Sequence, residues 1–257
     1  MSRETRDRLQ RAFVLHRRDY SDTSLLLEVF TEVNGRLPLL AKGAKRPRGA
    51  AAVLQPFTPL LIGWSGRGEV GTLVRAEAHG RPLPLPGDAL YCGFYVNELL
   101  LRLLQRQDPH ERLFDHYRTV LEGLAGGDLD TVLRHFELRL LGEVGYAPEL
   151  GRDADAGTPV RADRCYVYRH EHGLVPAAPS SAQPVVSGET LRRLSAGEPL
   201  RGVHAREARA LLRGLLAPHL GERPLRSRAL LAARVAARAR PAAAPAGDTV
   251  PDKPPPS

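Results

Sequence analysis

Between Ala41 and Gly49 the chain reads AKGAKRPRG, four cationic side chains in nine residues and two of the three lysines in all 257. Charge at that density suits the phosphates of a polyanion, because each Lys or Arg that meets a phosphate releases condensed counterions. Catalytic signatures are scarcer. GWSGRG at Gly63–Gly68 places Ser65 in a G-x-S-G setting, which has neither the spacing nor the strand-to-helix context of a nucleophile elbow and is read as a turn. Cys165, His170 and His172 offer three soft ligands, one fewer than a closed structural zinc site needs, so incidental side chains on a hairpin are expected there. With no Walker loop, zincin motif or paired cysteines, the residues point to binding and not to an enzyme, and no metal or cofactor is expected.

From Val33 to Gly68 there is no Asp or Glu, while Arg36, Lys42, Lys45, Arg46, Arg48 and Arg67 supply six positive charges. The formal net charge is +8, and 34 of the 37 cations are arginine. An anionic partner is favoured, although part of this basicity reads as compositional bias. Cys92 and Cys165 are far apart and read as free thiols. A charged N-terminus without an apolar stretch carries no secretory signal, no apolar run reaches bilayer length, and a cytoplasmic location is expected.

Five short apolar or alternating runs between Arg11 and Gly80 are separated by turn residues, and they predict a five-stranded barrel of the oligonucleotide-binding (OB) type. A hairpin is expected at Asn34-Gly35, since both residues accept positive φ and the flanks are strand-like. Phe57, Trp64 and Tyr20 are the aromatic candidates for stacking on bases. The prolines of RPLPLPGD, Arg81–Asp88, mark a linker, so residues 1–82 form one predicted domain and 83–240 a second. There the helical spacing predicts three successive helices, opened by Asp88, by Asp108-Pro109 and by Asp128, with later helices after Ser187, across HAREARALLRGLLAPHL and from Arg226. Between them a β-hairpin turning near His172-Gly173 is expected inside an insert at about 154–179. Segment 241–257 is too rich in Pro and Ala to bury a core and is expected to be disordered. The predicted class is α+β: a barrel, then a helical bundle with a small hairpin insert.

Two further basic groups draw notice. Arg223, Arg226, Arg228, Arg234, Arg238 and Arg240 stand against one acid, Glu222, and are as readily a solvated helix face as a second polyanion contact. Arg134 and Arg139 lie off the apolar stripe of the third helix, where they could receive an acidic peptide.

QRAFVLHRRDYSDTSLLLEVFTEVNGRLPLLAKGAKR, LQPFTPLLIGWSGRGEVGTL, LYCGFYVNELLLRLL, LRHFELRLLGEVGY and HLGERPLRSRALL, in that order, resemble the RecO family of bacterial recombination mediators from Gln10 to Leu231. The resemblance implies an OB domain, a helical body and a non-enzymatic role in repair. It further implies binding of single- and double-stranded DNA, annealing of complementary strands and docking on the acidic tail of single-stranded DNA-binding protein. It also implies work with RecR in loading RecA. Many members carry a four-cysteine zinc finger, whose corresponding segment here keeps only Cys165, so the zinc-free version is expected. By position, Arg36, Lys42, Lys45 and Arg46 match the family's basic strand and loop. Arg134 matches the arginine that receives the acidic tail, with Leu133 and Phe136 as candidate pocket walls.

Overall fold

The computed structural model describes residues 9–66, 68–177, 181 and 183–239; Arg67 and segment 241–257 lie outside the described residues. Five strands, β1 (Gln10–Asp19), β2 (Leu25–Thr31), β3 (Gly35–Ala41), β4 (Leu60–Ser65) and β5 (Gly71–Ala78), close into a barrel of order β1-β2-β3-β5-β4. Closure comes from parallel β3–β5 pairing, Leu39 opposite Gly71, and antiparallel β1–β4 pairing, Ala12 opposite Leu60.

The unbroken apolar start of β1 follows from burial on both faces. Ala12 and Val14 point into the barrel core with Leu27, Val29, Leu39 and Ile62, whereas Phe13 and Leu15 pack outward against helices. Register shifts between Val14 and His16, and beyond that bulge the strand is exposed. Its sequence changes there from AFVL to HRRD.

The expected hairpin joins β2 to β3, with one of its two named residues at positive φ. Thr31 pairs with Gly35 across three intervening residues; Gly35 has φ of 63° whereas Asn34 is not left-handed, and the Asn34 amide donates to Thr31 Oγ1 at 3.1 Å.

Three helices, α1 (Asp88–Leu103), α2 (Glu111–Ala125) and α3 (Leu129–Glu143), follow the barrel. Asp128 caps α3 by accepting from the Thr131 amide. Asp88 is not a cap: Gly87 takes that position, and Asp88 sits in the first turn bound to Arg234. Helix α2 starts later than Asp108-Pro109, with His110 as its N-cap. A three-stranded sheet of β6 (Cys165–Arg169), β7 (Gly173–Pro176) and β8 (Val186–Ser187) has order β7-β6-β8, with the β6–β7 turn at His170–His172. Ser187 caps α4 (Gly188–Ala196), and α5 (Val203–Leu220) and α6 (Arg226–Ala239) complete the body.

One apolar core joins barrel and helices. Phe13 and Phe30 from the barrel meet Phe114 and Tyr117 of α2 with ring centroids 5.1–6.2 Å apart. Such ring pairs contribute about 0.5–1.5 kcal/mol each beyond area burial. A polar chain crosses the same seam: Asn97 of α1 donates to the Leu15 carbonyl at 2.9 Å and accepts from the Tyr117 hydroxyl at 2.6 Å, all buried. Helix α3 separates this core from a second one formed by α4, α5 and the small sheet. That position explains why its polar residues Arg134 and Glu137 are as buried as its leucines. No helix among the described residues is long and apolar enough to cross a membrane.

Candidate nucleic-acid rim and acidic-peptide cavity

The AKGAKRPRG loop folds on itself at the end of the barrel where β3 finishes. Arg46 and Gly49 amides donate to the carbonyls of Gly43 and Arg46, and the Ala51 amide donates to Ala44, so the backbone is locked while Lys42, Lys45, Arg46 and Arg48 stay exposed. Gly49 is fixed by close approach: a Cβ there would lie 2.3 Å from the Ala44 carbonyl oxygen. Lys45 also meets Asp19 at 3.0 Å, an exposed pair that is worth at most about 1 kcal/mol.

Strand register brings two neighbours to this rim. Asp19 pairs with Leu25 and Leu25 with Ala41, so the end of β1 and the β1–β2 loop adjoin the basic loop. Arg17 and Arg18, exposed on that end, join the four cations, and Arg17 reaches the Ala51 carbonyl at 3.3 Å. Tyr20 stands on the same rim, 64% exposed. The facing ends of β4 and β5 arrive there as well, because Thr72 pairs with both Ser65 and Leu40. Sequence reading missed Arg17 and Arg18; a charged pair directly after an apolar run, where a strand passes a bulge, is the signal that marks them.

Arg36 stands elsewhere. Six residues of extended chain separate it from Lys42, about 20 Å along β3. It is half-buried with Glu28 3.5 Å away, Glu28 also takes Arg106, and burial lowers the Arg36 pKa against the pull of Glu28. The Gln107 amide donates to the Arg36 carbonyl at 2.9 Å, which ties this end of β3 to the α1–α2 connection. Phe57 and Trp64 are 6% and 9% exposed core residues, which leaves Tyr20 of the three aromatic candidates free to stack.

Near the hairpin, Cys165 is exposed and His172 bonds Asp155 at 2.8 Å; among the described residues no three potential metal ligands converge.

A cavity of about 370 Å³ opens between α1, α3, α5 and α6, with an apolar wall from Leu129, Leu133 and Leu231 and cations from Arg134, Arg209, Arg213 and Arg228. Arg134 lies deep in it, 5% exposed, with Nη2 3.0 Å from Glu137 Oε1. Glu137 is fully buried, and desolvation raises its carboxyl above the ordinary range while Arg134 and the Tyr95 hydroxyl oppose the rise. Arg134 Nε is buried with no hydrogen-bond partner among the described residues. Of the three residues expected to receive an acidic tail, Arg134 and Leu133 line the cavity. Phe136 does not: it is buried in the first core, its ring stacked on His116. Cys92 also faces the cavity, with its thiol pushed up to about 11 by burial.

Helix α6 is held in place by an ion pair on α1. Glu98 caps it by accepting from the Arg226 and Ser227 amides at 3.0 and 2.9 Å, and Arg102, its i+4 partner, donates to the Leu220 and Pro224 carbonyls. Both free backbone ends of the α5–α6 turn are satisfied by one pair.

Two family models match the chain, the recombination protein O N terminal over residues 5–81 and the recombination protein O C terminal over residues 86–229. The DNA repair protein RecO of Methylococcus capsulatus is 50% identical over 86% of this chain and 92% of its own length. Those of Nitrosospira multiformis and Ralstonia nicotianae are 45% and 49% identical over 88% and 86% of this chain, and 95% and 83% of theirs. With barrel and helical body each matched, and relatives aligned along most of both chains, the chain belongs to the RecO family of DNA repair proteins.

Proposed function

We propose that this RecO-family chain is a non-enzymatic recombination mediator: the barrel rim holds DNA phosphates and the helical cavity holds the acidic tail of single-stranded DNA-binding protein. The observation that carries this reading is the gathering of Arg17, Arg18, Lys42, Lys45, Arg46 and Arg48 with exposed Tyr20 on one end of the barrel. Arg67 belongs to the β4–β5 turn in sequence and is included in the proposed face. Arg36 is retained as a marginal contact, at the far end of β3. Docking on the coated strand brings complementary strands to the rim for annealing, single- or double-stranded, and RecR joins the complex that loads RecA. The work is cytoplasmic, at the nucleoid.

Salt titration tests the electrostatic part. About four phosphate contacts on single strands give a slope of log affinity against log salt of roughly −3. A Lys42→Ala/Lys45→Ala/Arg46→Ala chain should bind DNA weakly while its helical body stays folded; unchanged binding would sink the rim. Single-turnover incubation with nucleic acid should leave every bond intact.

A second reading, an adaptor for acidic protein tails that touches DNA only incidentally, is favoured by the cavity with its buried Arg134. Arg134→Ala separates the two, because DNA binding survives it under the mediator reading. It also strands Glu137 as a buried carboxylate, at a cost of about 3–5 kcal/mol. Arg213→Ala, on the cavity mouth, is the companion that leaves the fold alone.

A further inference from the structure

The cations of the cavity are not equivalent. Arg209 is paired with Asp130 and Arg134 with Glu137. Asp88, the remaining acid of the lining, binds Arg234, outside it. Arg228 has no carboxylate partner among the described residues. Its Nη2 donates to the Tyr95 hydroxyl at 2.9 Å, and its guanidinium carbon lies 5.1 Å from the centre of the Tyr95 ring.

The direction of every bond in this group is fixed by chemistry. An arginine cannot accept, so the Tyr95 oxygen accepts from Arg228, and the Tyr95 hydrogen then goes to Glu137 Oε1, 2.6 Å away. The same Oε1 accepts from Arg134. One buried carboxylate thus orients two arginines on two helices, Arg134 directly and Arg228 through a phenol. Burial raises the Tyr95 hydroxyl pKa, which keeps it protonated as the link requires.

We infer that Arg228 is a carboxylate receptor for the acidic peptide bound in this cavity and that Tyr95 and Glu137 are its positioning residues, a claim that rests on the acidic-tail reading above. A guanidinium with one edge spent on Tyr95 keeps the rest of its fork for a ligand carboxylate, with its rotamer already set. The capping of α6 by Glu98 holds the backbone beneath it. Arg228 therefore separates from Arg223, Arg226 and Arg234 of the same sequence cluster, which do not line the cavity.

The test is fluorescence anisotropy of the full chain with a synthetic peptide, a run of aspartates ahead of an apolar Phe terminus. Arg228→Ala should weaken binding roughly tenfold or more, the size of a lost hydrogen bond to a charged group. Tyr95→Phe keeps the ring and removes only the link, so a smaller loss is expected. The double variant should bind no more weakly than Arg228→Ala alone, since Tyr95 acts through Arg228. Additive losses would reduce Tyr95 to a structural part and overturn the relay. Unchanged binding by Arg228→Ala would overturn the receptor while leaving the cavity reading intact. A parallel loss of DNA affinity would reassign Arg228 to DNA. An unaltered chain that ignores the peptide would remove the cavity reading and this one together.

Discussion

Gly35 and Asp108 meet backbone to backbone: a Cβ on Gly35 would lie 1.8 Å from the Asp108 carbonyl oxygen, and Gly35 already has φ of 63°. The β2–β3 turn of the barrel is thereby pressed onto the α1–α2 connection, with Gln107 bonded to Arg36 beside it. Gly35→Ala combines a left-handed backbone cost of about 1 kcal/mol or more with a collision against main chain, which cannot rotate away as a side chain would. Its loss of stability in urea should exceed that of an alanine placed at Gly68, where nothing lies within 4 Å.

DNA affinity should divide along β3. Arg17→Ala/Arg18→Ala should weaken single-strand binding and flatten the salt dependence, by about 0.7 in slope for each phosphate left unmet. Arg36→Ala, far from the rim and paired with Glu28, should lower DNA affinity less and thermal stability more, measured on the same preparations.

The seam between barrel and body should be sensitive to Asn97. Asn97→Leu leaves the buried Leu15 carbonyl and Tyr117 hydroxyl without their partner, at about 1–3 kcal/mol for each unsatisfied group. Tyr117→Phe removes one of these bonds and should cost less. Urea unfolding of the two variants checks the order.

Acid should expose His116. Burial, then the charges of Arg139 and His135, hold its pKa down to about 4 from the ordinary 6.5, and its Nε2 is buried with no hydrogen-bond partner among the described residues. The folded state keeps the imidazole neutral where the unfolded chain is already protonated. Its contribution is therefore complete above pH 6.5 and is lost as pH falls from there towards 4. His116→Gln should show a shallower decline over that window than the unaltered chain; identical slopes would remove the assignment.

Much of the architecture was legible in the sequence because it is written in local chemistry. Alternating apolar residues between turns marked the five strands, and Asp128 and Ser187 marked helix starts through their capping oxygens. Helix starts at Asp88 and Asp108-Pro109 were misplaced, since Gly87 and His110 were available as caps and Asp88 had a partner far along the chain in Arg234.

The tertiary structure alone decided which cations stand together. Arg36 and Lys42 are near one another in sequence, yet a strand's rise carries them to opposite ends of the barrel. Arg17 is far from Lys42 in sequence, and antiparallel pairing through Leu25 returns it to the same rim. Arg134 looked like a surface residue because helical periodicity knows one apolar face; a helix wedged between two cores buries its polar side as well. Arg228 joined Arg134 across 94 positions only through Tyr95 and Glu137, a link that no local pattern encodes. Local patterns marked the elements, and long-range register decided which of their charges stand together.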